Sequence, residues 1–552
     1  MTDEEPSPAG EKPSGRAGRQ PSPTLDLHLT LPIVDPVVRQ ATASGLDPVA
    51  LIRSLAMSDE TPLALLDSAG GSPQLARRHY LAWRPALWLR VKDGRVRLLT
   101  AGGETRAVSG DPFALVRAAA ASAAAAAAAA PIPEARALFG LVAYDAARYL
   151  EALPDGTRDD LRLPDIDLFL PTRFLRHDRA TGETLVVAWP LPRIVENCEL
   201  PADEARARPD DRTKHLGAAA AKERRTAAEK AERRAAAADA AHVIAALGPS
   251  CVPASDVAPA ADLPVYRSNF ARVHYENVVG RTREYVFAGD IFQANLSQRL
   301  ELLYSLESLH LYETLRAVNP SPFAGYLRFG EYELISSSPE RLVELSPDGW
   351  AQTRPIAGTR PRGQADLSSS GDQAMTSDLN LDPKDRAEHI MLVDLERNDL
   401  GKVCDYGTVR VSELMVNEAY SHVIHIVSNV RGRLHPRRDA IDLLKAMFPG
   451  GTITGCPKVR CMEIIDELET VRRGAYTGSF GWLTPDALDM NIVIRTLVRV
   501  GDRLYLQAGG GIVADSVPEK EYFETLHKAQ GMLRAVSASV IECVTASEGS
   551  AS

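Results

Sequence analysis

Residues 507–529 read QAGGGIVADSVPEKEYFETLHKA, and this stretch sets the reading of the whole chain. Three glycines follow the strand-like RLYLQ (503–507), and Ser516 to Glu519 fit a capping box with Pro518 just inside a helix start. Glu521, Glu524 and Lys528 then fall three and four residues apart, on one helix face. Alone, such a face is a solvated Glu–Lys pair. Beside bare glycine backbone, whose N–H groups an anion can approach closely, it becomes a candidate site for carboxylates, a cation and an anion.

Upstream, DRAEHIMLVDLERNDLGKV (385–403) supplies a second acidic helix. Glu388 shares a face with Met391, Leu392 and Leu395, and a carboxylate on an apolar face needs a partner. Lys384 is one such partner. A hard cation is another, since Mg²⁺ takes one or two carboxylates and fills its shell with water and substrate oxygens. Glu388 and Glu524, with Glu521 acting directly or through water, form the expected metal set.

Gly450 to Gly455 (GGTITG) precedes an apolar-periodic helix, with Thr454 as its expected N-cap, and is an anion cradle in form. It lacks the GxxxxGK[ST] pattern of a phosphate-binding P-loop. Arg495, in the apolar run NIVIRTLV, is the residue type that grips a carboxylate bidentately. Glu340, in SSSPERL, is a candidate proton donor whose structural alternative is a salt bridge to Arg341.

The 552 residues exceed a single core. Net charge of −10, without a dense Lys/Arg stripe, argues against nucleic-acid binding. Six scattered cysteines carry no CxxC pair and read as reduced thiols, which points to the cytoplasm. No secretory signal is read at the start, and the Ala run 118–130 is too short to span a bilayer and reads as a surface helix or tether. No Gly-x-Cys-x-Gly elbow is present, so no glutaminase is expected in this chain.

Residues 1–23 have the composition of a disordered tail. Residues 24–202 alternate strand-like and helical pieces, an α+β pattern. Residues 203–264 form an Ala- and charge-rich helical insertion and linker, read as a solvated helix. The motif-dense catalytic region spans 265–540, followed by a tail at 541–552.

Taken in order, GDIFQANLSQR (289–299), SSSPERL, RPIAGTRPRG (354–363), the 385–403 helix, FPGGTITGCPK (448–458), NIVIRT and the 507–529 stretch resemble the chorismate-utilising enzymes. Within them the likeness is to the component I chains of anthranilate synthase and aminodeoxychorismate synthase. The resemblance implies an α+β fold, a two-layered β-sandwich decorated with helices. It also implies Mg²⁺ dependence, chorismate as substrate, and ammonia from a separate glutamine amidotransferase.

By resemblance, Glu388 and Glu524 are metal ligands with Glu521 nearby. Arg495, Tyr476 and the amides of Gly509, Gly510 and Gly511 hold substrate carboxylates, aided by Lys528. His425 sits by the departing 4-hydroxyl, with Thr359 and Thr452 shaping the site, and Glu340 is the general acid. Gln293 stands where isochorismate-forming relatives carry a water-activating Lys, which implies ammonia as nucleophile.

Ala357 stands where many aminodeoxychorismate synthases carry a nucleophilic Lys, and with Thr452 and SHVIHIVSNVRG (421–432) it resembles anthranilate synthase. QANLSQR, FPGG, TGSFGW (477–482), AGGGIV and Leu65-Leu66-Asp67-Ser68 resemble the aminodeoxychorismate branch, and these more numerous segments favour it. Tryptophan-regulated relatives carry LLES where this chain has Asp67, so weak or absent tryptophan inhibition is expected. A non-catalytic paralogue is the remaining class, set aside because all three costly glutamates are present.

Overall fold

The computed structural model describes residues 31, 35–57, 61–72, 75–100, 105–108, 110–126, 128–190, 214–247, 262–361, 383–419 and 423–549. The expected N-terminal tail lies outside them. The strands pair antiparallel throughout and form one hydrogen-bonded network folded into two layers. The fold is α+β, as expected.

Two long strands, Arg78–Lys92 and Ile166–Asp178, run side by side and belong to both layers. Their register shifts between Pro85 and Leu87, where Pro85 lacks an N–H for the ladder. On one side of the shift, Leu63–Trp83 pairing leads through Leu63–Asp67, Phe323–Arg328, Glu333–Ser338, Thr496–Val500 and Arg503–Ile512 to Gln293–Leu303. On the other side, Ile166–Asp178 continues through Leu138–Val142, Ser479–Leu483, Leu488–Asn491, Arg341–Leu345 and Trp350–Thr353 to Val423–Arg433. Strands from the 24–202 and 265–540 regions therefore interleave in both layers.

Alternation along the strands builds the layers. In Leu63–Asp67, Leu63 and Leu65 face an outer core under helices, while Ala64 faces inward. Phe139, Phe169, Phe174, Phe480 and Trp482 fill the core between the layers. Helices Ser308–Val318 and Pro518–Gly549 cover one outer face, and Pro112–Ala126 and Ala440–Met447 the other.

Three expectations change. The Ala run is not a tether: in Pro112–Ala126, Ala119, Ala120, Ala123 and Ala126 are buried against the outer core, because their small side chains admit close packing. The insertion helix Lys214–Ala246 is not wholly solvated. Ala236, Ala240 and Val243 dock it on the first layer, and Asp239 takes Arg173 at 2.6 Å and Arg84 at 2.8 Å. Finally, the last helix runs to Gly549, past the boundary expected at 540.

Candidate functional site

The three glycines lie inside strand Arg503–Ile512, not in a turn. One edge of that strand pairs with Gln293–Leu303, setting Gly511 opposite Asn295 and Gly509 opposite Ser297. Its other edge pairs with Thr496–Val500 only as far as Leu506, so from Gln507 onward it has no strand partner among the described residues. Side chains fill the space above. A Cβ at Gly511 would stand 1.9 Å from Gln293 Nε2, and one at Gly509 2.9 Å from the Tyr476 hydroxyl. At Gly510 it would meet Glu521 Oε2 at 3.4 Å and Glu524 Oε1 at 3.6 Å. By strand alternation, Gln293 and Tyr476 thus lie against one face of this bare backbone and Glu521 and Glu524 against the other.

The acidic residues stand on two helices. Glu388, half-buried on helix Pro383–Gly401, accepts from Gln293 Nε2 at 3.2 Å. Glu524 is held by Lys528 at 2.7 Å, and Lys528 also donates to the Gly509 carbonyl at 3.0 Å. The side chain of Lys384 lies outside the described residues. Among those residues, no group of three His, Cys, Asp or Glu side chains is arranged around one point as a metal site. Glu521 and Glu524 nevertheless offer hard oxygen donors over Gly510, the donor type Mg²⁺ requires.

The start of the last helix also differs from the expected capping box. The Ser516 hydroxyl accepts from the Val513 amide at 3.1 Å, and Glu519 pairs with Arg272 at 2.6 Å. Pro518 does open the helix. Helix Lys458–Leu468 starts after Pro457, and Thr454 is not its cap. The Thr454 hydroxyl donates back to the Gly450 carbonyl at 2.8 Å, and Gly455–Cys456 pairs with Gln293–Ala294. Gly455 needs its missing side chain: φ is +133°, and a Cβ would lie 2.1 Å from the Gln293 carbonyl oxygen.

Glu340 is buried, and the alternative reading, a salt bridge to Arg341, is not what the structure forms. Arg341 instead takes Asp489 at 2.9 Å and Glu344 at 2.8 Å. Burial pushes the Glu340 carboxyl up to about 7, opposed by the nearby Thr452 hydroxyl and the Ile356 amide. Thr452 stands close enough to stabilise the charged form but makes no well-formed hydrogen bond. A carboxylic acid that titrates near neutrality suits a general acid.

Sequence reasoning missed Glu396. It is buried on the helix that bears Glu388, and burial, with Asp399 and Glu340 nearby, pushes it up to about 8. His389, Val393, Glu396 and Leu400 are all buried and follow a 4-3-4 spacing, a core stripe. Two polar residues in that stripe were the available signal.

Arg495 lies between strands Leu488–Asn491 and Thr496–Val500, not within one, with φ of +52°. Such a conformation costs roughly 1–3 kcal/mol in a non-glycine residue and concentrates at functional sites. Among the described residues the guanidinium has no carboxylate partner, and burial lowers its pKa, opposed only by Tyr476. Tyr476 is itself buried beneath the guanidinium of Arg473, 5.6 Å from its ring centroid. Arg473 pairs with Glu469 at 2.7 Å and donates to the carbonyls of Ile453 and Asn295, tying three segments beneath the site.

His425 is buried on strand Val423–Arg433, where its backbone lies opposite Thr359 and Glu418. Ala357 lies opposite Ile426 on strand Ile356–Pro361, and the side chains of Ala357 and Thr359 lie outside the described residues.

The model of the chorismate binding enzyme family matches residues 80–534. Anthranilate synthase component 1 of Aquifex aeolicus (strain VF5) is 36% identical over 503 residues, 88% of this chain and 94% of that protein. Aminodeoxychorismate synthase component 1 of Bacillus subtilis (strain 168) is 50% identical over 275 residues, 50% of this chain and 58% of that protein. The crystal structure of anthranilate synthase component I from Streptococcus pneumoniae TIGR4 superposes with a TM-score of 0.65 at 29% identity, covering 83% of this chain and 92% of that one. The chain belongs to the chorismate binding enzyme family and is a chorismate-utilising enzyme.

Proposed function

We propose that the chain aminates chorismate with ammonia supplied by a separate glutamine amidotransferase, giving 4-amino-4-deoxychorismate in the cytoplasm. The observation that carries the anionic half is Arg495: a strained, half-buried guanidinium without a carboxylate partner among the described residues is a receptor for a substrate carboxylate. Tyr476, Lys528 and the open edge of Gly509–Gly511 stand by as further donors. Gln293 supports ammonia over water, because a neutral amide bonded to Glu388 is no base for activating water.

Exchanging a ring hydroxyl for an amine breaks one C–O bond and forms one C–N bond. Glu340 gives a proton to the departing hydroxyl, which leaves as water, and the nitrogen surrenders a proton once it has bonded to carbon. His425 and Thr452 orient the hydroxyl. Glu388, Glu521 and Glu524 would hold Mg²⁺, which when bound offsets repulsion between these carboxylates and an anionic substrate. Lys528 would release Glu524 to do so.

A second reading, anthranilate formation, draws on Ala357 and on relatives similar over nearly their whole length. The test is to incubate the pure chain with chorismate, Mg²⁺ and ammonium, then add the pyridoxal-phosphate lyase that converts aminodeoxychorismate. 4-Aminobenzoate appearing only after the lyase supports the first reading. Fluorescent anthranilate before it establishes the second.

A further inference from the structure

We propose that the glycine strand and its neighbour carry a binding row for un-ionised ammonia, made of the side-chain oxygens of Gln293, Asn295 and Gln507. The inference rests on the amination reading and deepens it by placing the nucleophile. Along strand Gln293–Leu303, the side chains of Gln293, Asn295 and Ser297 share a face, and along Arg503–Ile512 residues Gln507, Gly509 and Gly511 share one. The register sets Asn295 opposite Gly511 and Ser297 opposite Gly509, so the two faces are one surface. The glycines leave that surface open. Gln293 occupies the space that a Cβ at Gly511 would take, and a Cβ at Gly509 would stand 2.7 Å from Asn295 Oδ1.

All three amides are more than nine-tenths buried, and Gln293 Oε1, Asn295 Oδ1 and Gln507 Oε1 have no hydrogen-bond partner among the described residues. Two of these oxygens are fixed as acceptors by what their own nitrogens do. Gln293 Nε2 donates to Glu388 at 3.2 Å. Gln507 Nε2 donates at 2.8 Å to the Ser297 hydroxyl, whose proton goes to Glu469 at 2.7 Å. Buried acceptors call for a donor. Ammonia brings three N–H bonds, and giving two of them to amide oxygens leaves its lone pair free for carbon. Water in the same place meets only neutral amides, none of them a base. The row begins at a cavity of about 10 Å³, roughly the room of one water-sized molecule, bordered by Gln507, Tyr476, Arg299 and Arg473. No carboxylate borders that cavity among the described residues, so ammonium has no counter-charge there and the neutral molecule is the one admitted. The row ends at Gln293, beside Glu388.

Steady-state kinetics of the full chain with chorismate, Mg²⁺ and ammonium test it, with KM expressed as un-ionised ammonia. Gln507→Met and Asn295→Leu keep side-chain size and each remove one acceptor. Each should raise the KM for ammonia about tenfold, the effect of one lost hydrogen bond, while the KM for chorismate and kcat at saturating ammonia stay at wild-type values. Calorimetric titration with chorismate alone shows whether the rest of the site is intact, and if one variant fails to fold the other decides. Unchanged ammonia KM overturns the row. So does a parallel rise in both KM values, which is the mark of general damage to the site. A wild type that forms no amine from ammonium overturns the amination reading and the row with it, whereas an aminating wild type whose variants keep its ammonia KM overturns the row alone.

Discussion

Two sets of buried charge occupy this fold and are treated in opposite ways. Beneath helix Ser308–Val318, the Asp67 carboxylate meets His79 at 2.7 Å, Arg316 at 3.0 Å and the Tyr312 hydroxyl at 2.7 Å. These partners, led by Arg316, overcome the burial and hold Asp67 well below the usual carboxylate range. Across the molecule, Glu340 and Glu396 are pushed up toward neutrality, and Arg495 has no carboxylate partner among the described residues. The first set is satisfied and structural. The second is left incomplete at a strained residue, which is where a ligand or a proton is to be exchanged.

The largest expected effect comes from the incomplete set. Glu340→Gln should lower kcat by about 10²–10⁴-fold, the usual range for a lost general acid. Thermal stability should hold, because a neutral amide replaces a carboxyl that is already costly to ionise there. A variant that retains near wild-type kcat would falsify the acid role. A large drop in melting temperature would instead move Glu340 into the structural class.

The satisfied set should respond the other way. Asp67→Asn removes one of the two counter-charges of half-buried Arg316, Asp47 remaining at 2.7 Å, and should cost about 1–3 kcal/mol of stability, with kcat preserved while the protein stays folded. pH separates the two sets as well. The folded pKa of Asp67 lies below its unfolded value of about 3.9, so its contribution is present above that pH and lost as pH falls. Denaturant unfolding should show acid destabilisation in wild type that is weaker in Asp67→Asn. Equal acid slopes would mean the cluster is not what holds the protein at low pH.

The same contrast explains what was legible in the sequence. The glycine run, Glu388, Glu340 and Arg495 were readable because glycine, an acid on an apolar face and a lone Arg in an apolar run are each locally anomalous. Glu396 was not read, since DLERNDL looks like a solvated charge pattern until the 389-393-396-400 stripe is followed. The left-handed backbone of Arg495 has no local signal either: IVIRTLV reads as continuous strand, and tertiary pairing decides that it breaks. Asp67 was read only as a carboxylate in place of the Glu of LLES, and its ion pairs were not foreseen. Strand alternation turns it outward with Leu63 and Leu65, to Arg316, which lies 249 positions away and is invisible to any short window.

That outward turn bears on the smallest expected effect. The cavity between the layers, about 250 Å³, is bordered by Asp67, Arg77, Arg78, Arg341, Glu344 and Asp489. Each charge is already engaged: Arg341 with Asp489 and Glu344, Arg77 with Asp178 at 2.8 Å, and Arg78 with Glu134 at 3.6 Å. An amino acid entering here needs a carboxylate for its ammonium, and the Asp67 carboxylate is committed elsewhere. Tryptophan should therefore bind no tighter than about 1 mM, a free energy near −4 kcal/mol, and leave turnover almost unchanged. Calorimetric titration and an inhibition curve check this. Micromolar inhibition would mean that Asp67 abandons Arg316 for a ligand, and the line between satisfied and incomplete charge would have to be redrawn.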